Sequence, residues 1–234
     1  VGVLNQFGEK RESLQELLLF YSSTEKKLVT LREYADRMPE SQKYIYYAAG
    51  DTVASIDSLP QTELLKERGM EILYCTDRAD EFLADSLRTY DGKEFRSAVD
   101  GDLGLEDEPK TQESESDKEC LAFIKETLGD RVDEVKASQK LKSHPVCMTS
   151  GEGLTFEMEK YFQAVQPELS MKAKRILEVN VAHPAFLKLE SVRATDPELA
   201  KKYAEVLYNQ ALLIAGLPLA DPSGYTDLVC SLWS

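Results

Sequence analysis

The feature that most constrains this chain is a strongly acidic stretch at residues 100–119. It holds nine carboxylates, two lysines and no aromatic residue. Such a segment cannot bury enough apolar surface to offset the entropy that is lost on ordering it. We therefore predict a solvated linker at 100–119 that separates one domain at 1–99 from another at 120–234. An acidic binding surface is the functional alternative for the same residues.

The net charge of the chain limits the classes of partner that it can bind. Its 234 residues carry 28 basic and 42 acidic side chains, a net charge of −14. Nucleic acids and anionic membrane surfaces bind cationic footprints, so we expect neither as a partner. The most apolar run, residues 211–220, is interrupted by Gly216 and Pro218 and falls short of the roughly 20 apolar residues that a membrane-spanning helix needs.

The first domain alternates between helical and extended patterns. The leucine spacing in 11–20 predicts a helix, and a capping box formed by Thr30 and Glu33 predicts another. Runs of aromatic and aliphatic residues at 44–48 and 71–75 predict strands, each followed by a helix. This order implies a right-handed βαβ unit with a parallel sheet, so we predict a small α/β layer domain.

The second domain is predicted to be mixed α+β. Residues 120–128 and 152–165 have helical patterns, whereas residues 132–138, 146–149 and 176–180 have extended ones. The end of the chain is purely helical, because an Asp-Pro pair precedes each of two apolar helical segments. We therefore predict an α+β domain that finishes in two helices.

Sequence motifs for catalysis are missing. The chain has no glycine-rich phosphate loop and no G-x-S-x-G nucleophile elbow. Its four cysteines form no C-x-x-C pair, and His144 and His183 lie far apart, which favours structural roles over metal binding. The carboxylates of Asp77, Asp80 and Glu81 are closest together, and helix capping explains them better than acid–base catalysis does. We predict no catalytic residue, metal ligand or cofactor-binding residue.

Long, ordered motifs carry a family resemblance. Residues 31–47 contain a tyrosine, an Arg-Met pair, a glutamine and an Ile-Tyr-Tyr run, which resembles the middle-domain signature of the heat-shock protein 90 chaperone family. The likeness covers nearly the whole chain and is weakest in the acidic stretch. It continues in the motifs at residues 72–82, 91–93, 128–132, 158–160 and 208–213. The chain is similar to the bacterial branch, because its Leu-Trp-Ser end lacks the Met-Glu-Glu-Val-Asp tail of eukaryotic cytosolic members.

The resemblance implies a modular protein of which this chain is a part. Residues 1–99 would be the end of the middle domain, and residues 120–234 the C-terminal dimerisation domain. The first residue is Val1 and no leader peptide is apparent, so we expect an excised fragment. The intact protein would be a cytoplasmic, ATP-dependent chaperone of the stress response that binds ATP and magnesium upstream of Val1. The fragment itself is expected to hold no cofactor and to hydrolyse nothing.

The chain has two predicted binding functions, client binding and dimerisation. An apolar helical stripe in 152–165, together with a middle-domain aromatic residue, is expected to contact unfolded or partly folded client proteins. The predicted client-binding residues are Phe82, Leu154, Met158, Tyr161 and Phe162. Ordinary core burial is the alternative for this stripe.

The last two helices are expected to form a homodimer through a four-helix contact. The predicted interface residues are Leu199, Tyr203, Val206, Leu207, Tyr208, Leu212, Leu213, Ile214, Tyr225, Leu228, Val229, Leu232 and Trp233. Burial of all of them in the core of one chain is the alternative. A dimeric scaffold or adaptor domain without chaperone activity is the alternative function for the chain as a whole.

Overall fold

The computed structural model describes residues 15–99, 102–105, 113–151, 153–166, 168 and 170–233. The chain divides into two compact units. The first comprises Val1–Leu105 and Glu157–Lys172, and the second comprises Glu106–Phe156 and Ala173–Ser234. The segment at 157–172 is therefore part of the first unit although it interrupts the sequence of the second.

A six-stranded mixed sheet forms the centre of the first unit. Its strands are β1 (Leu19–Ser22), β2 (Leu28–Thr30), β3 (Tyr44–Ala49), β4 (Ile72–Cys75), β5 (Thr89–Tyr90) and β6 (Lys93–Ser97). They lie in the order β2-β1-β4-β3-β6-β5. Strand β3 runs parallel to both β4 and β6, while the β1–β2, β1–β4 and β5–β6 pairs are antiparallel. The apolar residues of β3 and β4 are buried on both faces, as expected for parallel strands that helices cover.

Among the described residues, the helices that pack with this sheet are α1 (Leu31–Arg37), α2 (Val53–Asp57), α3 (Glu63–Glu67) and α4 (Arg78–Leu87). Thr30 caps α1, since its side chain accepts a hydrogen bond from the Glu33 amide while the Glu33 carboxylate accepts one from the Thr30 amide. Two separate apolar cores result. One lies around Tyr34, Ile45 and Leu73, and the other lies around Tyr46, Ile56 and Tyr74.

The helix predicted for residues 11–20 is wrong at its C-terminal end. Residues 11–14 lie outside the described part, but Leu19 and Phe20 belong to strand β1, which pairs with β2 and β4. Phe20 is buried in the core while Leu19 is exposed, the alternation of a half-covered strand. Tertiary pairing therefore overrides the helical spacing of the leucines.

Two parts of the acidic stretch are described, residues 102–105 and 113–119. Leu103 is buried in the first unit, and its carbonyl accepts a hydrogen bond of 2.9 Å from the Tyr46 hydroxyl. Residues 106–112 lie outside the described residues. Residues 115–119, included in the predicted linker, form the start of helix α5 (Glu115–Leu128), because Ser114 caps it in a capping box with Asp117.

The second unit is a three-stranded sheet covered by helices. Strands β7 (Glu134–Ala137), β8 (Val146–Thr149) and β9 (Ile176–Val179) lie in the order β7-β9-β8, with β7 parallel and β8 antiparallel to β9. Helices α5, α7 (Pro184–Arg193) and α8 (Pro197–Ile214) contribute the apolar side chains that pack on the strands, and α9 (Pro222–Cys230) follows. Helix α6 (Phe156–Val165) starts in this unit at Phe156 and continues in the first.

Candidate functional site

Helix α4 carries Phe82 on a side that faces away from the core. The helix follows β4, and its Ala84 and Leu87 are almost completely buried in one apolar core. At about 100° per residue these two positions lie roughly 140–160° around the helix from Phe82. Phe82 is accordingly half-buried and belongs to neither core cluster of the first unit.

Helix α6 supplies the partners of Phe82. The Phe82 ring lies 5.1 Å from the Tyr161 ring and 6.0 Å from the Phe162 ring, measured between centroids. Tyr161 and Phe162 are themselves 5.8 Å apart, and all three pairs have the edge-to-face geometry that aromatic quadrupoles favour. We call these three half-buried rings the aromatic cluster. Phe82 precedes the other two rings by about 80 residues in the sequence, and the fold of the first unit brings it against them.

The other predicted client-binding residues lie elsewhere. Met158 is buried at 9% exposure, so α6 does not present its side chain to solvent in this conformation. Leu154 is half-buried, precedes the first residue of α6 and belongs to the second unit. Phe156 packs against the apolar core of the second unit, with the Arg175 guanidinium 5.3 Å above its ring.

A small acidic cavity lies beside the aromatic cluster. Its volume is about 40 Å³, and it is lined by the segments that follow β3 and β4 and by residues of α4 and α6. The charged lining residues are Asp51, Asp77, Glu81, Glu157 and Lys160. Four carboxylates thus meet one ammonium group there. Lys160 pairs with Glu157 at 2.5 Å, on the same helix. Tyr161 also lines this cavity and therefore belongs to both features.

The carboxylates at the start of α4 have a structural role in the first turn of the helix. The Asp80 carboxylate accepts a hydrogen bond of 3.2 Å from the Asp77 amide. Burial raises the pKa of Asp80, although the hydrogen bond from the Asp77 amide opposes part of this rise. Burial also raises the pKa of the neighbouring Cys75 thiol well above its ordinary value, so this thiol stays protonated and is a poor nucleophile.

Histidine and metal chemistry find no support in the described residues. The His183 ring accepts a hydrogen bond of 3.1 Å from the Ala185 amide and so caps α7. In the part of the chain that the structure covers, no group of three or more His, Cys, Asp or Glu side chains could hold a metal ion. No helix among these residues is long and apolar enough to cross a membrane.

The helices predicted to dimerise form a second candidate surface. Leu207 and Leu212 are buried in the apolar core of the second unit, so their side chains are already covered within one chain. Tyr203 and Tyr208 are partly buried against the same core, and Arg131 lies 5.2 Å above the Tyr208 ring. Helix α8 packs the side that carries these four residues against the core of its own chain, and their place in a dimer interface stays a prediction.

The remaining predicted interface residues are less covered. Leu213 is 51% exposed and Trp233 is 83% exposed. The half-buried ones are Leu199, Val206, Ile214, Tyr225, Leu228, Val229 and Leu232. Helix α9 buries none of its residues, although most of one side is apolar. A single chain thus leaves an apolar helical surface uncovered at this end.

Charged residues around both surfaces were not identified from the sequence. Arg131 donates two hydrogen bonds to the Glu205 carboxylate and thereby ties the end of α5 to α8. Lys160 and Glu157 pair on α6 at the edge of the acidic cavity. An i,i+3 spacing of opposite charges signals the second pair in a sequence, whereas the first joins residues 74 positions apart and has no local signal.

Comparison with known proteins places the chain in a family. The Hsp90 protein family model matches residues 1–234. The chaperone protein HtpG of Oceanobacillus iheyensis is 48% identical over 234 residues, which cover 99% of this chain and 37% of that relative. HtpG of Clostridium acetobutylicum is 49% identical over 99% of this chain and 37% of its own length. HtpG of Bacillus subtilis is 46% identical over 99% of this chain and 38% of its own length. The chain thus spans 37–38% of the length of these relatives, and it belongs to the Hsp90 protein family.

Proposed function

We propose that this chain acts as the client-binding and dimerising part of a molecular chaperone. Family membership and similarity to proteins named chaperone protein HtpG support the chaperone role. The observation that carries the client-binding proposal is the aromatic cluster, which gathers Phe82, Tyr161 and Phe162 outside the two cores of the first unit. An apolar feature that the fold does not need for its core is available for a partner.

Aromatic rings suit the recognition of unrelated unfolded chains. They offer a large apolar area and few rotatable bonds, so they can cover different side chains at a small entropic cost. Burying one such side chain against a client contributes roughly 1.5–3 kcal/mol before the cost of ordering the client. Three rings together contribute roughly 4.5–9 kcal/mol before that cost, so we expect binding that is no tighter than about micromolar.

The test is the binding of a fluorescently labelled, carboxymethylated protein that cannot fold. We expect micromolar binding by fluorescence anisotropy, weakened about tenfold or more by Phe162→Ser, because one ring contact is removed. Leu187→Ser is the matched control, since Leu187 is an exposed apolar residue of α7 in the second unit. Equal losses in both variants, or no binding by the wild-type chain, would contradict the proposal and favour the scaffold function.

Dimerisation is proposed through the surface of α8 and α9. It is supported by the exposed Leu213 and Trp233 and by the uncovered apolar side of α9. We expect sedimentation at tens of micromolar to give a dimer mass, and Leu213→Asp to give a monomer with unchanged helix content. Leu187→Asp should remain dimeric. A monomeric wild-type chain would contradict this part of the proposal.

ATP turnover is not assigned to these residues. We propose that ATP and magnesium are used by the longer protein, through segments of the relatives that this chain does not match, and that the protein works in the cytoplasm. Phosphate release from ATP by the purified chain should therefore equal that of a blank. Turnover that falls when a residue of this chain is mutated would contradict the assignment.

A further inference from the structure

The aromatic cluster and the acidic cavity share one side chain. The Tyr161 ring lies 5.1 Å from the Phe82 ring, and Tyr161 also lines the cavity. The cavity lies at the carboxyl ends of the parallel strands β3 and β4, where Asp51 follows the first strand and Asp77 follows the second. A client segment that covers the rings at Tyr161 therefore comes close to these carboxylates.

Negative charge is in excess around both features. Helix α4 contains three acidic residues and one basic residue, and α6 contains two acidic residues and one basic residue. The segments after β3 and β4 add Asp51 and Asp77, which are both exposed. These elements thus hold seven acidic and two basic residues. The basic residue that lines the cavity, Lys160, already pairs with Glu157. The region therefore stays negative when both of its cations are paired.

The size of the cavity decides where a cation could bind. Its volume of about 40 Å³ is far below the roughly 300–1,000 Å³ of ordinary ligand pockets, so it does not admit the side chain of a lysine or an arginine. The exposed Asp51 and Asp77 instead place negative charge at its mouth. A cation would bind there, beside the half-buried Tyr161 ring.

Lysine and arginine match this combination of rings and carboxylates. Each has an apolar stem, which can lie along an aromatic ring, and a charged head group, which remains near solvent and can reach a carboxylate. The guanidinium group of arginine also stacks on aromatic rings. An acidic side chain in the same place would instead meet like charges. A segment with neutral flanks would use the rings alone.

We propose that the aromatic cluster selects client segments in which an apolar residue is flanked by lysine or arginine. The apolar residue packs on Phe82 and Phe162, and the basic side chain passes Tyr161 toward Asp51 and Asp77. This selection rests on the proposed function and names the class of client that the site takes. Segments with acidic flanks are discriminated against by repulsion, although their apolar residues fit the rings equally well.

The first experiment compares three short fluorescent peptides that share the same apolar residues and carry lysine, glutamine or glutamate flanks. At low salt we expect the lysine-flanked peptide to bind about tenfold more tightly than the glutamate-flanked one, with the glutamine-flanked peptide between them. At about 1 M salt the Debye length is about 3 Å, so the difference should fall below about twofold. Fluorescence anisotropy measures all three affinities.

The second experiment removes the carboxylates at the mouth of the cavity. The double variant Asp51→Asn, Asp77→Asn should lose at least about threefold of the preference for lysine flanks, while its affinity for the glutamine-flanked peptide stays unchanged. The single variant Asp51→Asn should lose part of the same preference, and it leaves the start of α4 intact.

The matched control is the double variant Glu126→Gln, Asp130→Asn. It removes the same number of charges from exposed positions of the second unit. It should keep the full preference for lysine flanks, because attraction by the net charge of the whole chain would weaken equally in both double variants.

The outcomes separate the selection from the proposed function. Equal affinities for the three peptides at low salt would overturn the selection while client binding stands, and so would equal losses of preference in the site and control variants. Absence of binding of the carboxymethylated protein would contradict the proposed function, and the selection inferred for that site would fail with it.

Discussion

A buried ion pair in the second unit gives a quantitative test of the packing described above. Glu178 of β9 and Lys140 are each 1% exposed, and the Lys140 ammonium lies 3.5 Å from the Glu178 carboxylate. The same carboxylate accepts hydrogen bonds from Ser138 at 2.9 Å and from Thr149 at 3.2 Å. A second ammonium, that of Lys136, lies 3.6 Å away. The perturbation is Lys140→Met, which keeps the length of the side chain and removes its charge.

The expected loss of unfolding free energy in Lys140→Met follows from the groups that surround the Glu178 carboxylate. Removing one partner of a buried ion pair typically costs about 3–5 kcal/mol, because the remaining charge is left in an apolar environment. Two hydroxyl donors and the half-exposed Lys136 still stabilise Glu178, so we expect the lower end, about 3 kcal/mol. The double variant Lys140→Met, Glu178→Gln should lose less unfolding free energy than the two single variants lose in sum. The neutral amide that Glu178→Gln introduces carries no charge that an ammonium group would have to balance.

Hydrogen exchange is the appropriate assay because the chain has two units and need not unfold in one step. A loss of about 3 kcal/mol should speed the exchange of the slowest β9 amides roughly a hundredfold. The strands of the first unit should keep their protection and so act as an internal control. A change of less than about fivefold in β9, which is about 1 kcal/mol, would refute the reasoning that this pair is sealed from water.

Three further changes have expected outcomes. Leu207→Ala should lower the unfolding free energy by about 2–5 kcal/mol in chemical denaturation, because this side chain fills the core of the second unit. Gly104→Ala should cost at least about 1–2 kcal/mol by the same measurement, since Gly104 has a φ of +66° and a Cβ would lie 2.4 Å from the Tyr44 ring. The hydroxyl of Tyr74 lowers the pKa of Asp57 below its ordinary 3.8, so this stabilisation exists above that pH and disappears as the pH falls through the lower folded value. Asp57→Asn should therefore lower the melting temperature at pH 7, and by progressively less as the pH falls below 3.8.

Local sequence signals predicted elements whose ends are chemically marked. The capping box at Thr30 and Glu33 opens α1, and the Asp-Pro pairs at Asp196 and Asp221 open α8 and α9 with the aspartate side chains as caps. Each of these signals acts within four residues, so no tertiary information is needed to recognise it.

Elements that depend on distant partners were missed. Strand β1 was predicted as part of a helix, because a short apolar run has no decisive period and only its pairing with β2 and β4 makes it a strand. Helix α7 was not predicted. Its cap is the His183 ring, which is not a usual capping residue, and its exposed Leu187 obscures the apolar period.

The candidate site could be predicted only in part for the same reason. Helical spacing grouped Met158, Tyr161 and Phe162, but it could not distinguish the buried Met158 from the half-buried rings. Phe82 was selected through the family resemblance alone. Its contact with Tyr161 joins two helices that are distant in sequence, and no periodic pattern encodes such a contact.

Photo-cross-linking shows whether the aromatic cluster contacts unfolded clients. A photoreactive phenylalanine analogue replaces Phe162 in one sample and the exposed Leu187 in another, and each is irradiated with the carboxymethylated probe. We expect adducts between chain and probe at position 162 that greatly exceed those at position 187. Equal yields at the two positions, or no adduct at position 162, would contradict it.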